Sequence, residues 1–271
     1  MSMHEGAVHG RPTRLPRSVL TTAAGTRRDP PVALLGRAAR ERPTRSGRIP
    51  LRLADRYFLA AHTGAERLAP RVDPWLVALG CAGGLLAELL LEGEIDAEPT
   101  VRPAGAGMPP DFLSWSVLRE VRAEPDHDVR TWIRYLADTS VEKVRARLTI
   151  TDVLREVEVS AGWRTAPAVA WRASRLDERA PAEELADLFA QEESAAVRSG
   201  MITVPDAQAE IALALLATGT GVAGRLGLAK PVLRQAARRA EQWLPRLPSG
   251  LRVVVAEVAA AREQWAMTPR R

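Results

Sequence analysis

The stretch Asp73–Asp96, DPWLVALGCAGGLLAELLLEGEID, limits what this chain can become more than any other. From Trp75 to Leu91 it runs 17 residues with one charge, Glu88, and three glycines, Gly80, Gly83 and Gly84. A helix apolar on every side suits either a bilayer or the middle of a helical protein. Seventeen residues give a helix of about 26 Å, short of the roughly 20 residues a bilayer requires. Glu88 would cost about 2.5–3.5 kcal/mol at a bilayer's centre. Glu92, Glu94 and Asp96 follow at once, where a span would carry an anchoring Lys/Arg cluster. The run therefore reads as a core helix, its glycines allowing neighbouring backbones to come close.

A core helix needs partners, and residues 51–271 offer them. LRLADRYFLAAH, from Leu51, repeats apolar residues at helical spacing, as do PPDFLSWSVLREVRA and DVRTWIRYLAD. Thr139-Ser140-Val141-Glu142 has the form of a capping box and predicts a separate helix through about Leu154. The period then changes in REVEVSAGWRTAPAVAWRAS, where alternation around a Gly/Pro turn predicts a β-hairpin. Helices return over Ala182–Gly200, Pro205–Thr218, Pro231–Leu244 and Leu251–Met267. The expected fold is mainly α, a single-domain helical bundle with an inserted β-hairpin.

Residues 1–50 differ in kind. They carry ten arginines against Glu5, Asp29 and Glu41, with six prolines and no aromatic residue. Too little apolar surface is present to offset the entropy of ordering, so they are expected to form a disordered tail. The formal charge of +5 thus resides in this segment, because residues 51–271 hold 28 basic groups against 30 acidic ones. A nucleic-acid-binding domain would carry its basic charge on the folded body, which argues against such a partner. Lys143 and Lys230 are the only lysines, an Arg bias expected of a GC-rich bacterial genome. Cys81 stands alone and no signal-peptide core opens the chain, so the expected compartment is the cytoplasm.

Catalytic chemistry is hard to find. His4, His9, His62 and His127 have no metal-ligand spacing, and no metal or cofactor is expected. Asp126-His127-Asp128 reads as a helix-start turn. Gly219–Gly224, GTGVAG, matches the dinucleotide pattern, but that motif works only between a strand and a helix. The preceding AEIALALLA is helix-forming, so GTGVAG is expected to be an inter-helix loop.

Four segments in order then match a known pattern. LGCAGGLLAELLLEGEI resembles the G-x-x-G-x-x-L-x-E-L-x-L-x-G-x-[IL] signature of the Golgi phosphoprotein 3 family, on Gly80, Gly83, Leu86, Glu88, Leu89, Leu91, Gly93 and Ile95. VRARL, Val144–Leu148, resembles that family's V-R-E-R-L helix, and DVRTWIRYLAD and AKPVLRQAARRAEQWL resemble its tryptophan-bearing and late Arg-rich helices. The resemblance spans about Leu51 to Met267. It implies a non-enzymatic, mainly helical protein that binds phosphatidylinositol 4-phosphate at a membrane surface.

Carried over by position, the family's lipid pocket falls on Arg145 and Arg147, while its other basic positions fall on Glu142 and Ala82 and its Trp on Asp73. Trp75, two residues on and near Arg71, is either a core residue or a substitute interfacial anchor. Glu142 and Arg145 are i,i+3 neighbours able to pair. The candidate lipid-binding residues are therefore Arg145, Arg147, Trp75 and Arg71, in an altered pocket. The expected partner is an anionic phospholipid surface on the inner face of the membrane, with a protein partner and self-association through the hairpin as further expectations. The alternative is a soluble helical adaptor acting through protein contacts without lipid specificity.

Overall fold

The computed structural model describes residues 51–64, 67–159, 168–173, 180–190 and 204–267, all within one compact unit, Thr44–Arg271. The N-terminal tail, the hairpin tip with Trp163 and the end of the helix expected to reach Gly200 lie outside the described residues.

The described elements are α1 (Leu53–Ala60), β1 (His62–Thr63), β2 (Ala69–Pro70), α2 (Pro74–Leu91), β3 (Ile95–Ala97), β4 (Val101–Pro103), α3 (Phe112–Ala123) and α4 (Val129–Ile150). They continue with β5 (Leu154–Val159), β6 (Ala168–Ala173), α5 (Ala180–Ala190), α6 (Val204–Thr220), α7 (Lys230–Trp243) and α8 (Ser249–Met267). The fold is mainly α, as the periodicity predicts. The strands form three separate antiparallel ribbons, β1–β2, β3–β4 and β5–β6. The last is the expected hairpin, with Leu154 opposite Ala173 and Glu156 opposite Trp171.

α2 is the apolar run of the sequence, and it sits in the middle. Asp73 starts it by accepting a hydrogen bond from the Trp75 amide at 2.9 Å, and Pro74 occupies the first turn, where its missing N–H has no consequence. By length and composition this helix could cross a membrane, yet 72% of it is buried inside the protein. It packs against α1, α4, α6 and α8. Its glycines face those neighbours. A Cβ on Gly80 would land inside the Tyr57 ring, one on Gly83 would meet Val258 and Leu216 at 2.8 and 2.9 Å, and one on Gly84 would lie 3.0 Å from the Ala54 Cα. Tyr57, buried against Gly80, donates to the Leu76 carbonyl or to Thr220 Oγ1, with contacts of 3.2 and 2.9 Å. α1 and α6 are thus tied to the centre through one phenol.

One expectation needs correction. DVRTWIRYLAD and the VRARL segment form one continuous helix, α4, so the capping box at Thr139–Glu142 caps nothing. Ser140 is fully buried in mid-helix, and its hydroxyl donates to the Ala78 carbonyl on α2 at 2.9 Å. A residue type that favours helix starts here serves as an inter-helix tie. The true cap of α4 is Asp128, which accepts from the Thr131 amide at 2.7 Å, as the helix-start reading of Asp126–Asp128 requires. GTGVAG begins in the last turn of α6 and leads into a short 3-10 turn at Ala223–Arg225, an inter-helix loop as expected.

Candidate functional site

α4 carries both VRARL arginines, and their angular phase separates them. The helix buries Ile133, Leu136, Ala137, Ser140, Val144, Arg147 and Leu148 on one stripe. Arg145 lies two residues from Arg147, about 200° around the axis, and so faces elsewhere.

Arg147 is 7% exposed and committed to the core. Its two terminal nitrogens donate to both carboxylate oxygens of Glu88 at 2.8 and 2.9 Å, and Nε donates to Asp55 Oδ1 at 2.8 Å. Asp111 adds a longer contact at 3.4 Å. Glu88, the single charge of the apolar run, is 4% exposed and also accepts from the Ala54 amide at 2.8 Å. Arg52 closes the cluster, 3.1 Å from Glu88 and paired with Asp111 and Glu92. Burial opposes the charge on Arg147, but Glu88, Asp55 and Asp111 outweigh it and hold the guanidinium firmly protonated. Burial pushes the Asp55 carboxyl up to about 7, against the pull of Arg147. The expectation that Arg147 meets a headgroup is therefore corrected: its donors are taken up inside the protein.

Arg145 is different. Its guanidinium carbon lies 5.2 Å above the Trp171 ring of β6, a cation–π geometry. Its Nε is buried and has no hydrogen-bond partner. The Glu142–Arg145 pair suggested by i,i+3 spacing is not formed among the described residues; Arg145 turns toward the hairpin instead. Trp171 is anchored by its backbone, whose carbonyl accepts from the Leu68 amide at 2.8 Å. That bond brings the β1–β2 ribbon to β6, and with it His62 and Arg71.

Arg71 leaves β2 with its amide bonded to the Ala61 carbonyl at 2.8 Å. Its Nε donates to the His62 carbonyl at 2.9 Å and one terminal nitrogen to the Arg225 carbonyl at 3.3 Å. The His62 ring packs on Phe58, with centroids 4.2 Å apart, and its Nδ1 lies 2.7 Å from the Phe58 carbonyl. Burial lowers the basicity of His62; the Phe58 carbonyl opposes this, and the charges of Arg145 and Arg71 lower it further. Burial also lowers that of Arg71. Arg145, Arg71, His62 and Trp171 thus gather on one partly exposed surface. Among the described residues neither arginine has a carboxylate partner.

Of the four candidate residues, Arg145 and Arg71 come together, while Arg147 and Trp75 stand elsewhere. Trp75 packs against the core and stacks on Trp265 of α8, with centroids 6.1 Å apart. Ala82 is fully buried in α2 and contributes nothing to a surface, while Glu142 is exposed on α4. His62 and Trp171 are the residues that sequence reasoning missed. No spacing rule links positions 62, 71, 145 and 171; only the packing of two ribbons on α4 does.

Comparison with protein families places a match on residues 53–264, to the family described as Golgi phosphoprotein 3 (GPP34). Comparison with curated proteins finds no match.

Proposed function

Since the chain belongs to the Golgi phosphoprotein 3 family, we propose that it is a non-enzymatic peripheral membrane protein whose Arg145–Arg71 surface binds anionic phospholipid headgroups, phosphoinositides among them. The observation that carries this reading is Arg145 itself. Its guanidinium is held over Trp171 with a buried, unpartnered Nε, beside a second arginine. A planar fork with donors free suits a phosphate, and a partly desolvated setting strengthens each bond. Arg147 lies in the core, so the surface relies on two arginines where VRARL alone suggests both of its own.

The ten arginines of residues 1–50 support the same reading through their charge. Each Arg near an anionic leaflet contributes about 1 kcal/mol before screening. On this reading the protein works at the cytoplasmic face of the membrane, where it can also recruit a protein partner or a second copy through its hairpin.

Flotation with neutral phosphatidylcholine vesicles, and with vesicles carrying phosphatidylserine or phosphatidylinositol 4-phosphate, tests it. The full chain is expected to float with anionic vesicles only, and Arg145→Ala to weaken binding about ten-fold. Equal behaviour with neutral and anionic vesicles overturns the reading and favours a soluble adaptor.

A further inference from the structure

His62 is the one titratable group on this surface that the lipid-binding reading leaves without a task. Its Nδ1 faces a carbonyl, which can only accept, so the neutral ring carries its proton there and leaves Nε2 with a lone pair. Among the described residues no hydrogen bond engages Nε2. The groups around the ring are few. α1 supplies the Phe58 carbonyl and ring, the β1–β2 ribbon supplies Arg71, and α4 supplies Arg145, which lies over Trp171 of β6. The charges that act on it are both cationic.

We propose that His62 is the third ligand of the anion site and that a phosphate binds there together with one proton, which His62 Nε2 takes up and donates back to a phosphate oxygen. The inference rests on the reading of Arg145 and Arg71 as an anion-binding surface. An empty site holds two guanidinium groups against a partly buried imidazole, and a third positive charge is disfavoured. A phosphomonoester carries about −1.5 to −2 near neutral pH. Its arrival reverses the local sign and favours the imidazolium, which then offers Nε2–H to the ligand while Nδ1–H keeps its bond to Phe58. The basic groups missing at Ala82 and Glu142 are thereby replaced by a cation that exists only in the bound state. Two consequences follow: affinity increases as the pH falls, and the ligand raises the basicity of His62.

The shared chemistry is a phosphomonoester, so the experiment has a lipid arm and a soluble arm. Binding to phosphatidylinositol 4-phosphate in neutral vesicles, and to free inositol 1,4-bisphosphate, is measured for the full chain at about pH 5.5 and about pH 7.5. The wild type is expected to bind about ten-fold more tightly at the lower pH, and His62→Gln no more tightly there than at the higher pH, because the phosphate's own protonation near a pKa of about 6 removes negative charge as the pH falls. Binding in both arms identifies the phosphate group as the ligand, and binding to vesicles alone adds the bilayer to it. A wild-type affinity independent of pH, or a His62→Gln variant with the wild-type slope, overturns the proposal while leaving the arginine surface standing. No binding at either pH overturns both. An NMR titration of the wild-type His62 ring keeps the test open if the variant is unstable. Its pKa must rise when inositol 1,4-bisphosphate is added, and a value that stays put overturns the proposal.

Discussion

Arg147 holds Glu88 through two parallel hydrogen bonds of 2.8 and 2.9 Å, so the one charge of the apolar helix α2 is matched by the buried arginine of α4. The pair lies between the helices that form the centre of the fold, and its remaining donors and acceptors are taken by Asp55 and the Ala54 amide. Glu88 therefore belongs to the framework.

Removing one partner of this pair leaves a buried charge unmatched. Glu88→Leu is expected to destabilise the protein by about 3–5 kcal/mol in urea denaturation. Replacing both residues by apolar ones, Glu88→Leu with Arg147→Met, is expected to recover much of that loss. A double variant as unstable as the sum of the single ones would show that the pair is not acting as a unit.

Asp55 gives the cluster a pH dependence with a definite sign. Burial raises its folded carboxyl from 3.8 to about 7, so between those values the folded protein binds more protons than the unfolded chain. Stability from this group is thus highest below about pH 4 and declines as the pH rises to about 7. Asp55→Asn removes the titrating group, and the difference in unfolding free energy between wild type and variant should shift across that window. A constant difference from pH 4 to pH 8 is the contrary result.

Gly80 lies against the Tyr57 ring, where no Cβ fits. Gly80→Ala is expected to cost about 3 kcal/mol, since the ring is buried and cannot turn aside without losing its hydrogen bonds. Combining it with Tyr57→Leu should cost less than the two changes added, a coupling that a double-mutant cycle measures directly.

Trp75 and Arg145 should separate stability from lipid binding. Trp75 stacks on Trp265, so Trp75→Ala is expected to lower stability by about 2 kcal/mol and leave vesicle binding unchanged within two-fold. Arg145→Ala should do the reverse. Loss of lipid binding in a folded Trp75→Ala variant would restore Trp75 to the membrane contact.

Much of the fold was legible because it depends on period and on local signals. The run from Trp75 to Leu91 could be assigned to the core from its length and its acidic C-terminal flank. The β5–β6 hairpin followed from the change of period. The ribbons β1–β2 and β3–β4 are two and three residues long and leave no alternation to read. Thr139–Glu142 misled because the pattern of a capping box also occurs in mid-helix, where here Ser140 bonds the Ala78 carbonyl of a neighbouring helix.

The site was legible by half. Arg145 and Arg147 look equivalent in VRARL, yet 200° of helix rotation puts one over Trp171 and the other on Glu88. The signal available in the sequence was Glu88 itself, because a lone acid in an apolar helix calls for a buried base. His62 had no such signal, since Arg145, whose charge acts on it, comes from a distant helix that only the fold brings near.

The arrangement around α2 has a consequence for how the chain is made. Two of the helices that enclose it, α6 and α8, begin at Val204 and Ser249, far downstream of Leu91. At about 5–20 residues per second, a ribosome takes on the order of ten seconds to reach them. Through that interval an 18-residue apolar segment is out of the exit tunnel with only part of its cover synthesised. To cellular machinery that sorts nascent chains by hydrophobicity it is, for those seconds, a membrane segment, and α1 and α4 must shield it until the C-terminal helices arrive.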